Sequence, residues 1–212
     1  MEKMMKALEI FWSFRSPYSH LATPRLVEIA RRGDVAAKMR FVRPLALRER
    51  DFFERARPQW LPYLMRDMFR EGQRLGIAIG PPRPDPVIMD LSTGKVAEAQ
   101  PLMERLMALG VAAEEVGRGL AFAAEVSPAI WGGAENWHEG DTLADAAKRS
   151  GLDLGDMQRW AAANPAIVAE RIAANEAAHV AHHWGVPLMT LDGEPFFGQD
   201  RIDALLWRLD QA

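Results

Sequence analysis

The chain predicts an α/β fold opened in its middle by a large all-helical insertion. Three observations carry this reading. A strand–helix–strand pattern fills the start of the chain. Two short strands and a helix close it. Between them, from Pro44 to His183, helical patterns recur and no convincing strand is found.

Residues 6–13 read as a buried strand, because Leu8, Ile10, Phe11 and Trp12 are apolar or aromatic. Residues 17–32 follow as a helix with Leu21, Leu26, Ile29 and Ala30 on one face. Arg31, Arg32 and then Gly33 mark its end, a cationic last turn followed by a residue free to adopt positive φ. Residues 37–42 give a second strand, closed by Pro44, and a helical crossover between two strands implies that they run parallel.

In the middle, Pro58 and Pro62 introduce a helix over 63–75, with Leu64, Met68 and Leu75 sharing a face. The proline-rich stretch 77–86 must be an extended connection. Helices are predicted over 97–109, 112–125, 142–150 and 155–163, with Asp141 as the cap of the third. Asn164-Pro165 opens another over 165–183. The end reads as a strand over 187–191, a hairpin turn at Asp192-Gly193, a partner strand over 195–197 and a last helix over 201–209 capped by Asp200. This order is that of a thioredoxin fold. Residues 1–45 and 184–212 would form the thioredoxin-like domain, and residues 46–183 the inserted helical domain.

Composition narrows the function classes. Apolar residues make up 49% of 212 and charged residues 26%, an ordinary globular balance. A net charge of −3, with no basic block interleaved with aromatics, gives no case for nucleic acid. No apolar run approaches a membrane span, and residues 1–6 carry two lysines with no apolar stretch behind them, unlike a secretory signal. There is no cysteine, so neither a disulfide nor a thiolate metal site can form. That usage fits a reducing interior, and a cytoplasmic location is expected.

The most informative motif is Ser16-Pro17-Tyr18-Ser19, at the junction of the first strand and helix. A thiol–disulfide oxidoreductase would place C-x-x-C there, and here both cysteine positions are serine. Pro17 suits the first helical position and Ser16 the N-cap, so a hydroxyl and free amides would point to one spot on the positive end of a helix. Such a spot stabilises an anion, and a thiolate brought by a ligand fits it. From spacing alone a plain helix cap is the better reading, and Ser19 reads as structural.

Other residues invite sharper and blander readings. His179, His182 and His183 could bring two imidazoles to one helix face, yet no third ligand motif is nearby; polar groups at a helix C-terminus explain them better than a metal. His20 and His138 are acid–base candidates on titration range alone, His20 being nearer the serine motif. Arg15, Arg43 and Arg48 could each bind a carboxylate through the guanidinium fork, with nothing to select among them. Trp131, Trp137 and Trp160 read as core.

The run Phe11-Trp12-Ser13-Phe14-Arg15-Ser16-Pro17-Tyr18-Ser19 resembles the N-terminal motif of the 2-hydroxychromene-2-carboxylate isomerases and kappa-class glutathione transferases. Three further stretches agree in order: Tyr63-Leu64 with Asp67 leading to Leu75-Gly76-Ile77, Trp184-Gly185-Val186-Pro187, and Phe196-Phe197-Gly198-Gln199-Asp200-Arg201. Four motifs in register are far more specific than one. The resemblance implies a DsbA-like thioredoxin fold and a glutathione site. The residue matching Ser16 would favour the glutathione thiolate, followed by Pro17 and Tyr18. Val186 would pair its backbone with the cysteinyl part, and Gln199 and Asp200 would hold the γ-glutamyl end.

The implied activity is isomerisation of an aromatic keto-acid by reversible thiolate addition, with a small aromatic carboxylate as substrate, glutathione as cofactor and a homodimer as assembly. A kappa-type transferase and a non-catalytic DsbA-like binding protein are the alternatives. The chain departs from the family pattern in three places: Arg57 stands where an Asn commonly precedes Pro58, His20 replaces an aromatic residue, and Gln199 replaces the commoner Asn.

Overall fold

The computed structural model describes residues 5–211; residues 1–4, which hold most of the segment read above as no secretory signal, and residue 212 lie outside the described residues. Strand β1 (Lys6–Trp12) pairs in parallel with β2 (Val35–Phe41) and antiparallel with β3 (Leu188–Leu191), which forms a hairpin with β4 (Glu194–Phe197). The sheet order is β2-β1-β3-β4. Helix α1 (Pro17–Ala30) makes the crossover that the parallel pair requires. The hairpin turn falls on Asp192 and Gly193, both at positive φ, as an Asp-Gly turn favours. The thioredoxin-like order expected from the sequence is therefore present.

Alternation along β1 divides the core. Leu8, Ile10 and Trp12 face the main cluster of buried side chains, while Phe11 joins Val42 and Leu188 in a small second cluster on the other side. The main cluster runs without a break from the sheet and α1 into α5 (Pro101–Glu115) and α6 (Gly119–Trp131). At its centre the Phe14 and Phe41 rings stack with centroids 5.2 Å apart, and Trp12 meets both edge-on.

The helical part corrects several sequence readings. Two short helices, α2 (Leu45–Arg48) and α3 (Phe52–Arg55), precede α4 (Trp60–Leu75), which starts three residues earlier than read. The expected helices 97–109 and 112–125 are instead α5 and α6, with the break at Gly117, whose φ is +67°. Gly110, between the two expected ranges, lies inside α5, where a Cβ would sit 3.0 Å from the Phe41 ring. Helices α7 (Thr142–Arg149), α8 (Leu154–Ala163) and α9 (Pro165–Val180) agree in place, and α9 stops three residues short of His183. Asp200 is no cap: it sits within a 3-10 turn (Gln199–Arg201) ahead of α10 (Ile202–Asp210) and makes no capping bond. Asp141 likewise occupies a cap position without a side-chain bond. Among the described residues no helix is long and apolar enough to cross a membrane.

Candidate functional site

Ser16 caps α1 as expected. Its backbone is extended (φ −109°, ψ 117°), and its Oγ accepts a hydrogen bond from the Ser19 amide at 3.1 Å. Pro17 opens the helix with fixed φ and no N–H to satisfy. The junction is held from both sides. Trp131 Nε1 donates to the Phe14 carbonyl at 2.9 Å, and Trp12 Nε1 donates to the Ser19 carbonyl and to Thr23 Oγ1, each at 3.0 Å. Ser19 is wholly buried, and its hydroxyl receives only a long contact from the Ser13 amide, which gives it a structural place.

The remaining direction of the Ser16 hydroxyl leads across the fold. It donates to the Val186 carbonyl at 3.4 Å, a long bond to a residue that precedes a cis proline, Pro187. The Val186 segment is braced by two histidines. The His179 Nε2–H donates to the Gly185 carbonyl at 2.8 Å, and the Gly185 amide donates to His183 Nδ1 at 2.9 Å. His183 stacks on Phe197 with centroids 3.7 Å apart, and a Cβ on Gly185 would fall 2.6 Å from that same ring. Burial holds His179 neutral by pushing its pKa down to about 4. Two of the three histidines read from sequence as a polar helix end thus grip one glycine.

Ser16, Pro17, Tyr18 and Val186 line one cavity of about 500 Å³. Its walls are mainly aromatic and aliphatic: Trp60, Leu64 and Met68 from α4, Trp131 from α6, and Trp184 and Phe197 beside the histidine-braced loop. Ser13 also lines it, and its Oγ is buried with no hydrogen-bond partner. Tyr18 donates its hydroxyl proton to Asp67 on α4 at 2.7 Å; burial first, and then this carboxylate, raise its pKa well above the ordinary phenol value.

Gln199 and Asp200 do not line this cavity. Gln199 is buried, donates to Glu71 Oε2 at 2.6 Å and has an unpartnered Oε1. Asp200 is exposed and meets Arg201 at 3.4 Å. Asp67 and Glu71 are four residues apart on α4 and so share a face, which joins the Tyr18 end of the site to the Gln199 end. No sequence motif had marked Glu71. Arg57 and Pro58 are exposed in the link from α3 to α4 and stand outside the cavity lining.

The other candidates separate cleanly. His20 is buried, with Nδ1 against Ser127 Oγ (2.7 Å) and Nε2 against the Ala78 carbonyl (3.0 Å), and burial lowers its pKa. It is a packing residue, apart from the cavity. His138 lies beside Trp137 and Glu139, also away from it. Trp131 and Trp137 are core residues as read, Trp131 with one edge on the cavity; Trp160 is partly buried against the main cluster.

A serine-capped helix facing the residue before a cis proline, on a thioredoxin sheet with a helical insertion, defines a thioredoxin-type protein with serines at the two ends of its Ser16–Ser19 motif. The chain belongs to the DsbA-like thioredoxin family, whose domain matches residues 7–210. Among solved structures it is similar to a 2-hydroxychromene-2-carboxylate isomerase, with 23% identity, a TM-score of 0.66 and coverage of 97% of this chain and 95% of that one. It is also similar to a Streptomyces coelicolor protein described as a probable DsbA oxidoreductase (17% identity, TM-score 0.67, coverage 97% and 89%). A third is the cytosolic disulfide reductase DsbM from Pseudomonas aeruginosa (18% identity, TM-score 0.60, coverage 97% and 100%). At these identities the likeness is one of fold. No curated protein sequence matches the chain.

Proposed function

We propose that the protein is a glutathione-dependent isomerase of an aromatic keto-acid of the 2-hydroxychromene-2-carboxylate type. One observation carries the reading: the Ser16 hydroxyl, at the positive end of α1, faces the Val186 carbonyl at the edge of an aromatic-walled cavity. The absence of cysteine removes a disulfide reaction of the chain's own, which sets it apart from the oxidoreductases that share its fold.

The residues present suit glutathione. The 3.4 Å bond from Ser16 to Val186 is weak enough to be exchanged for a charge-assisted one to sulfur. Ser13 Oγ, buried at the cavity and unpartnered, supplies a second hydroxyl. The Tyr18 amide lies in the first turn of α1, where no intrahelical acceptor exists, and adds to the positive field. Val186 offers backbone groups for the cysteinyl unit, held in place by His179 and His183 through Gly185. Gln199, joined to α4 through Glu71, and Asp200 next to it would hold the γ-glutamyl end. When bound, glutathione supplies a thiolate nucleophile for reversible addition to a conjugated double bond. Ser16 stabilises that charge, and the aromatic walls orient a flat substrate and exclude water from it.

The test is product analysis with 2-hydroxychromene-2-carboxylate. An isomerase changes the isomer ratio only when glutathione is present and leaves the free glutathione concentration constant. Consumption of glutathione would identify a kappa-type transferase instead. Glutathione binding without turnover of any conjugated keto-acid would leave a binding protein.

A further inference from the structure

Of the three arginines that could meet a substrate carboxylate, the structure leaves one at the cavity without a carboxylate partner among the described residues. Arg15 is already neutralised, with Nε and Nη2 on the two oxygens of Asp85 at 2.7 Å each. Arg43 forks onto Glu176 and borders a different cavity, of about 670 Å³. Arg48 lines the cavity next to Ser16, and among the described residues no carboxylate lies within 4 Å of it.

Arg48 is nonetheless fixed. Its Nε donates to the Arg43 carbonyl at 2.8 Å, Nη1 to His179 Nδ1 at 3.3 Å and Nη2 to the Trp184 carbonyl at 2.9 Å. A guanidinium has five N–H groups, so three bonds leave two, one on each terminal nitrogen. Each is a further donor of a charge-assisted hydrogen bond to a carboxylate. The neutral His179 has its Nε2–H committed to Gly185, so Nδ1 can only accept, and it orients the fork without competing for a ligand anion. The geometry is within reach of Ser16. Arg48 holds the Trp184 carbonyl and Ser16 the Val186 carbonyl, and two residues of chain span at most about 7 Å.

We propose that the Arg48 guanidinium anchors the carboxylate of a ligand seated in the cavity that it lines together with Ser16. The inference rests on the reading of this cavity as the ligand site. An aromatic substrate and the tripeptide glutathione both carry carboxylates, and the same fork would take either. Arg48 is half-buried, and desolvation lowers its pKa against the opposing pull of Glu176 and Glu49, so a ligand anion beside it would offset part of that desolvation cost.

The experiment is calorimetric titration of the whole protein with cinnamate, with its neutral isostere cinnamide and with reduced glutathione, comparing wild type, Arg48→Gln and Arg48→Lys. The expected result is that wild type prefers cinnamate to cinnamide, that Arg48→Gln weakens cinnamate by about tenfold or more while leaving cinnamide within about twofold, and that Arg48→Lys is intermediate. Loss confined to glutathione would also support the anchor and assign it the tripeptide's carboxylate. Three outcomes overturn it: no preference for cinnamate in wild type, no change in either anion with Arg48→Gln, or loss of cinnamide together with cinnamate, which would make Arg48 only a brace for the Trp184 loop. Failure of wild type to bind glutathione while the cinnamate result holds would sink the proposed function and leave the anchor standing.

Discussion

The Ser16 hydroxyl reaches the carbonyl of Val186, 170 residues further along the chain, at 3.4 Å. That contact joins the first helix of the fold to the loop before β3, and each side is fixed independently: Ser16 by the cap geometry of α1, Val186 by two histidines on Gly185. The long bond leaves the hydroxyl free to change partner.

The two serines of the motif should behave differently. Ser19→Ala removes a buried hydroxyl whose one cross-contact is 3.5 Å long, so glutathione affinity should stay within about twofold and stability within about 1 kcal/mol. Loss of the bound thiolate in Ser19→Ala, measured by ultraviolet absorbance, would move the anion site off Ser16.

Gly185→Ala puts a methyl group against the Phe197 ring, which is already stacked on His183. The strain should cost about 1–3 kcal/mol, read as a lower Tm. It should also weaken glutathione binding more than Ser19→Ala does, because the displaced segment carries Val186. Unchanged binding would mean that the loop is not part of the site.

His179 gives stability a signed dependence on pH. Its folded pKa, about 4, lies below the ordinary 6.5, so the native state binds fewer protons than the unfolded chain between those values. Its contribution is full above pH 6.5 and is lost as pH falls toward 4, at no more than about 1.4 kcal/mol per pH unit. His179→Gln keeps a donor for the Gly185 carbonyl; its Tm should be lower at pH 7 and fall less steeply on acidification. Parallel Tm curves for the two proteins would contradict the assignment.

Glu114 works in the other direction. Burial raises its carboxyl from 4.5 to about 7, against a bond from the Met39 amide at 3.2 Å. The native state then binds the extra proton, so this contribution is full below pH 4.5 and is lost as pH climbs to 7. Glu114→Gln should therefore gain Tm relative to wild type between pH 5 and pH 8. A difference that does not change over that range would place the carboxylate in solvent.

Much of the fold was legible because local chemistry and topology agreed. Ser16-Pro17 fixed one helix start, Asp192-Gly193 a hairpin, and the apolar alternation of Leu8, Ile10 and Trp12 a buried strand. Where the reading went astray, tertiary packing had overridden a local signal. Gly110 fell between two expected helices and is instead the point where α5 lies against Phe41. The start of α6, after Arg118, carries no side-chain cap to announce it. Of the residues read from sequence as a site, Ser16, Pro17, Tyr18 and Val186 line one cavity, while Gln199 and Asp200 stand outside its lining. Arg48 was one of three equivalent arginines, Asp67 only part of a motif and Glu71 unmarked, since their places come from what the fold sets opposite them: the Trp184 carbonyl, the Tyr18 hydroxyl and the Gln199 amide.

The most direct measurement is calorimetric titration of glutathione into wild type and Ser16→Ala, paired with the ultraviolet absorbance of the bound thiolate. Binding to both proteins, with the thiolate signal present in wild type and lost in the variant, is the expected result. No binding to wild type at millimolar glutathione, or a thiolate signal that survives Ser16→Ala, would contradict the role assigned to the serine.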